Sequence, residues 1–249
     1  MIHLICTLEP VRIPFLFQFI EHYKRLGVEK FHFSVQAEPR TSTADLENHR
    51  RAARRELSPL GIELSALLVQ PFNARVLRSH HDELQSRQCR AGDWIVWADI
   101  DEFQVYPGQF LSLLNFADAY GVDYFEGHLI DRVSQDGNLR EFDPVQSIWQ
   151  QYPRVVKPPS PISPRSTHKV VCARSDVRLT PGNHYAAGER PLRYYAESAE
   201  IHHFKWDSSV VKRLSRRLQP DFQATSPWWV ESKAILDLIE THAGGLGEL

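Results

Sequence analysis

The chain has 249 residues, 42% of them apolar and 24% charged, with a formal net charge of −2. That size allows one large domain or two small ones with a sizeable core, and the charge excludes a polybasic protein that binds nucleic acid in bulk. The three cysteines, Cys6, Cys89 and Cys172, are odd in number and far apart, so they form neither a disulfide framework nor a zinc spacing and point to a reducing, cytoplasmic setting.

In chain order, His3–Leu8 reads as a first strand. Ile13, Leu16, Phe17, Ile20 and Tyr23 form a helical stripe over 13–26, closed by Gly27,. Phe31, Phe33 and Val35 alternate as a second strand, so the opening unit is strand, helix, strand with a right-handed parallel crossover. Ser42 with Asp45 resembles a capping box for a helix to Leu57. A third strand follows from Ile62 to Val69, then a helix marked by Leu77, His81, Leu84 and Gln88.

The centre of the chain is Trp94-Ile-Val-Trp-Ala-Asp-Ile-Asp-Glu-Phe103. An apolar run of this length suits a strand covered on both faces. Alternation would put Asp99 and Asp101 on one face at its carboxyl end, where open α/β sheets bind ligands. Two hard oxygen ligands there suit Mg²⁺ or Mn²⁺ holding a diphosphate, while the bland alternative is a pair of carboxylates capping the next turn. A helix over 110–117, stopped by Gly121, and a fifth strand over 122–130, ending at Asp131-Arg132, complete a doubly wound, mostly parallel α/β sheet flanked by helices.

The second half is less regular. Asp136-Gly137-Asn138 is a turn and Ser147–Tyr152 a short helix. Between Tyr152 and Thr167 five prolines argue against regular structure, leaving a connector or a mobile lid. His168–Ala173 and Ala199–Trp206 read as strands, and Ser208–Leu218 and Trp228–His242 as helices. No apolar run is long enough to span a bilayer. The basic run Lys212–Arg217 allows peripheral membrane contact, although a charge run is usually a solvated face.

Several stretches together resemble the GT-A fold nucleotide-sugar glycosyltransferases, namely bacterial family 2-like members and the related family 92. They are Phe15–Tyr23 with Leu26-Gly27-Val28, Trp97–Phe103, Asp131-Arg132-Val133, His168–Val171 and Ile201–Lys205, in the family's order. The chain departs from the family at Leu8-Glu9, where Asn-Glu is common, and at Gln36-Ala37-Glu38, where an acidic pair is common.

The resemblance implies a single GT-A-like domain, with a nucleotide-sugar-binding half at about 1–131 and an acceptor-side half at about 132–249. It implies a metal-dependent, inverting transfer from a nucleotide sugar, with a UDP-sugar as first choice, to a glycan or small-molecule acceptor. Asp99 and Asp101 would form the DXD motif that holds Mn²⁺ or Mg²⁺ on the donor diphosphate, with His203 as a third ligand. Thr7, Glu9, Asp99 and Lys205 would contact the donor. Asp131 would be the base, with Glu126, Asp136 and Glu200 as alternatives, and His184 would line the acceptor side. A nucleotidyltransferase on a related scaffold is the alternative, although Cys6–Arg12 lacks the glycine-rich phosphate loop such an enzyme needs. A non-catalytic sugar or partner binder, using Trp228-Trp229 or Tyr194-Tyr195, is a third reading.

Overall fold

The computed structural model describes residues 1–164, 167–223, 228–242 and 244–247. The strands are β1 (Ile2–Leu8), β2 (Lys30–Ala37), β3 (Leu64–Val69), β4 (Trp94–Trp97), β5 (Glu102–Val105), β6 (Tyr124–Val133), β7 (Arg154–Val156), β8 (His168–Arg174), β9 (Arg178–Leu179), β10 (Ala186–Ala187) and β11 (Ala199–His203). The helices are α1 (Leu16–Leu26), α2 (Thr43–Leu57), α3 (Ala74–Gln88), α4 (Phe110–Tyr120), α5 (Ile148–Gln151), α6 (Val210–Arg217), α7 (Pro220–Gln223) and α8 (Trp229–Thr241).

The chain folds as two compact units, Met1–His128 with Thr167–Ile201, and Leu129–Ser166 with His202–Leu249. The segment 167–201 belongs with the first unit because β8 pairs with both β4 and the early part of β6.

In the first unit the main sheet begins β3-β2-β1-β4-β8. β3, β2, β1 and β4 run parallel, and β8 is antiparallel to β4 and to β6. The α/β class expected from the sequence is the class observed, with the parallel part where the strand-helix alternation placed it. β1 is buried along nearly its whole length, as the central strand of a covered parallel sheet requires. α1 ends as its sequence predicts, at Gly27 with φ +98°, a left-handed conformation that glycine takes without penalty. Ser42 accepts a hydrogen bond from the Asp45 N–H at the start of α2, which satisfies one orphan donor of the first turn.

In the second unit the end of β6 pairs antiparallel with β7, Asp131 opposite Val156 and Val133 opposite Arg154. Val133, Val156, Ile162, Trp206, Val210, Leu214, Ile235, Ile239 and Leu246 form its core. The proline-rich stretch is thus more ordered than its composition implied. β7 occupies its start, Ser160 and Ser163 exchange backbone hydrogen bonds of 2.9 and 3.1 Å, and Ile162 is fully buried. Prolines on either side of a short edge strand leave that strand's own N–H groups free to pair. Residues 165 and 166 of the stretch lie outside the described residues.

Candidate active site

The first unit's strand order carries a topological switch point. Successive strands β1, β2 and β3 extend the sheet in one direction, and β4 then adds on the other side of β1. At such a reversal the connections leave β1 and β4 in opposite directions, opening a crevice beyond their carboxyl ends. Thr7, near the end of β1, and Asp99, just after β4, stand at those carboxyl ends.

The Asp-x-Asp segment does not continue β4. The strand stops at Trp97, and residues 98–101 form a turn leading into β5. The Asp99 carbonyl accepts from the Glu102 N–H at 2.9 Å, while the Asp99 N–H donates to Glu102 Oε2 at 3.3 Å. The last carbonyl of β4, that of Trp97, accepts from Gln104 Nε2 at 2.8 Å. The expectation that Asp99 and Asp101 share a strand face is therefore corrected: aspartate favours turns through such local hydrogen bonds. The Asp99 side chain is 54% exposed, whereas Asp101 is buried.

Each carboxylate faces a cation of the chain. Lys169 Nζ donates to Asp99 Oδ2 at 2.8 Å and to Glu102 Oε1 at 2.5 Å. Arg12 Nη2 lies 3.6 Å from Asp101 Oδ2, with the arginine itself buried. Burial pushes the Glu102 carboxyl above the ordinary carboxylate range, Lys169 opposes the shift, and Asp99 and Asp101 add to it. Burial alone would lower the Lys169 ammonium, but Asp99 and Glu102 together hold it above its usual value. Beneath them Cys6 is fully buried, and burial with the charges of Asp99, Asp101 and Glu102 raises its thiol far above normal.

Thr7 is half-buried, and its Oγ1 is 2.9 Å from His81 Nε2. His81 packs against Trp97, and burial together with Arg78 lowers its pKa to about 3, so the ring is neutral at physiological pH. Glu9 is half-buried after β1, and its carbonyl accepts from the Arg12 N–H. His184 follows a one-turn 3₁₀ helix, with Nδ1 at 3.0 Å from the His168 carbonyl.

The second unit gathers the other expected residues. Asp131 is buried within β6, with His203 Nδ1 and Lys205 Nζ each 3.4 Å from its Oδ1. Burial pushes the Asp131 carboxyl up, but Lys205 and His203 hold it below its ordinary value. A carboxylate held ionised this way is poorly matched to taking a proton near neutral pH. Its neighbour Arg132 turns elsewhere, donating from Nε to the Tyr152 carbonyl at 2.9 Å and stacking on Trp149. His202 is buried edge-on to Trp149. Asp136 caps a turn, accepting from Asn138 and Arg140.

Each unit thus holds one cluster that includes expected residues. Asp99 and Asp101 join Glu102, Lys169 and Arg12, while His203 and Lys205 join Asp131. Sequence reasoning gave no role to Glu102, Lys169, Arg12 or the Thr7–His81 pair. The signal for Lys169 lies in the strand register. The antiparallel register pairs Val96 with Cys172, and continuing it past the end of β4 sets Lys169 opposite Asp99.

A divalent cation needs several oxygen or nitrogen ligands free to converge on it. Among the described residues no group of three His, Cys, Asp or Glu side chains is arranged to hold one. In the first unit the carboxylates are directed at Lys169 and Arg12 instead, so this arrangement does not fit a bound metal.

No family model matches the chain, and no curated protein matches it. Among solved structures it is similar to S. aureus TarS 1-349, with 10% identity and a TM-score of 0.35 over 97% of this chain and 73% of that one. It is similar to HddC from Yersinia pseudotuberculosis, with 8% identity and a TM-score of 0.39 over 88% of this chain and 100% of that one. UDP-glucose pyrophosphorylase complexed with UDP-glucose matches at 13% identity and a TM-score of 0.26, over 57% of this chain and 64% of that one. At these scores none of the three likenesses decides between functions. No helix among the described residues is long and apolar enough to cross a membrane.

Proposed function

We propose that the chain is a nucleotide-sugar transferase whose donor lies beyond the carboxyl ends of β1 and β4. The observation that carries this reading is the switch point itself, with Asp99, Asp101, Glu102 and Lys169 grouped just after β4. Of the two reactions this placement serves, glycosyl transfer is favoured. The segment following β1 is a 3₁₀ turn with Pro10 and Pro14 and has no glycine that would let its backbone wrap a triphosphate. The ordered family resemblance supports the same choice, and inverting stereochemistry rests on that resemblance alone.

In this reading the diphosphate, which leaves with the nucleoside and must have its developing negative charge stabilised by a cation, lies beside the turn 98–102, whose Asp99 and Glu102 hold the Lys169 ammonium,. The neutral His81 fixes the Thr7 hydroxyl at the end of β1, where a hydroxyl can hydrogen-bond a donor sugar or ribose. Asp131, closed between His203 and Lys205, serves better as a fixed ion-pair centre than as the base. UDP-sugars are the first donors to try.

The test is calorimetric titration with UDP, GDP and the other nucleoside diphosphates, followed by product analysis. Binding of one of them, with sugar moved to an acceptor or water, is the expected result. Pyrophosphate release from a nucleoside triphosphate and a sugar phosphate would instead establish the nucleotidyltransferase. No binding under any condition would remove both enzyme readings and leave the sugar or partner binder.

A further inference from the structure

The arrangement around Asp99 holds a cation already, and that cation is a side chain. Lys169 Nζ reaches one oxygen of Asp99 and one of Glu102, and its side chain is only 12% exposed. Lysine of this kind is a compact point charge with three N–H donors. Two of the three are spent on the carboxylates, which leaves one for a ligand. Asp99, the more exposed of the two partners, marks the side from which a ligand can arrive.

We propose that Lys169 is the resident cation of this site, standing where a divalent metal would stand, with its remaining N–H directed to an anionic oxygen of the ligand. Asp99 and Glu102 then act as positioning residues: they fix the ammonium and keep it protonated, and they are not metal ligands. Arg12 plays the corresponding part for Asp101. A lysine so placed needs no metal to be loaded before the ligand binds, and it is a familiar partner for phosphate oxygens. The proposal that this ligand is a nucleoside diphosphate rests on the transferase reading above. The proposal that Lys169 excludes a metal does not.

Two measurements test it. The first is Mn²⁺ titration of the full chain followed by electron paramagnetic resonance, with no nucleotide present. Lys169→Met, which removes this positive charge from beside Asp99 and Glu102, should bind Mn²⁺ at least about tenfold more tightly than wild type,. Lys169→Arg keeps a positive charge and should behave like wild type. Tight Mn²⁺ uptake by wild type overturns the proposal without any variant, as does a folded Lys169→Met that gains none.

The second measurement is UDP binding with EDTA or with Mn²⁺. Affinities within about twofold of each other, falling at least about tenfold in Lys169→Met, are expected. UDP binding that appears only with Mn²⁺ overturns the resident cation and leaves the transferase standing. If no nucleoside diphosphate binds in either buffer, the transferase reading fails, and Mn²⁺ uptake alone decides the role of Lys169.

Discussion

Asp99 and Asp131 each meet a lysine, but the Asp99 side chain is 54% exposed and that of Asp131 only 2%. The ingredients are the same, a carboxylate with cations beside it, and the surroundings differ. Asp99 lies in a turn beyond the end of β4, where a ligand can reach it and water screens its charge. Asp131 lies inside β6, so its charge is balanced by His203 and Lys205 and by little solvent. A carboxylate of the first kind costs little to remove and can respond to a ligand. One of the second kind is costly to remove, because its loss takes the enclosed carboxylate away from the half-buried Lys205 ammonium,. The contrast teaches that position after a strand, more than residue type, separates an accessible carboxylate from an enclosed ion pair.

Asp131→Ala should break the second cluster most severely, lowering unfolding free energy by about 4 kcal/mol, the usual scale for removing one partner of a buried pair. Denaturant unfolding at neutral pH measures it. A loss below about 1 kcal/mol would place Asp131 among surface pairs and collapse the comparison.

Glu102→Ala sits between the extremes, since Glu102 is buried but its partner Lys169 retains Asp99. A loss of about 3 kcal/mol is expected. A loss equal to that of Asp99→Ala would show that Lys169 is held by Asp99 alone.

Acid tests the Asp131 cluster directly. The folded pKa of Asp131 lies below its unfolded value, so its contribution is present above about pH 4 and is lost as pH falls through the folded value. Between about pH 5 and about pH 3 the unfolding midpoint of wild type should fall further than that of Asp131→Asn, which has no carboxyl to titrate. Equal slopes would mean that Asp131 is not held below its ordinary range.

Asp99→Ala should be the mildest for stability, under about 1 kcal/mol, because an exposed ion pair contributes little. Under the proposed function it should still weaken nucleoside diphosphate binding, by loosening Lys169. Thermal shift with and without UDP reads both effects in one experiment. A large loss of stability with unchanged binding would reverse the roles assigned to the two clusters.

The parallel part of the fold was legible in the sequence because its signals are local. Alternation at Phe31, Phe33 and Val35, the Ser42 cap and the glycine stops at 27 and 121 each act within a turn or two of the chain. The place of the carboxylate turn was legible for the same reason, since Asp99 and Asp101 directly follow an apolar strand. Their geometry was not. Strand alternation gave them a shared face, while the mutual hydrogen bonds of Asp99 and Glu102 turned the chain first. Lys169 was hidden for a different reason: it arrives from β8, 70 residues away, and only the antiparallel register brings it opposite Asp99. The second unit was least legible, because β7 owes its pairing to β6 and not to its own composition.

The buried thiol of Cys6 has a practical use. A protonated, enclosed sulfur cannot react with an alkylating agent until the surrounding structure opens. Cys172 is equally enclosed, and burial with the charge of Asp93 raises the half-buried Cys89 to about 11. Mass-resolved alkylation of the native chain therefore distinguishes the enclosed Cys6 and Cys172 from the half-buried Cys89. The rate at which Cys6 is modified reports how often the carboxylate turn and β1 come apart, and a ligand seated on Lys169 should slow that labelling.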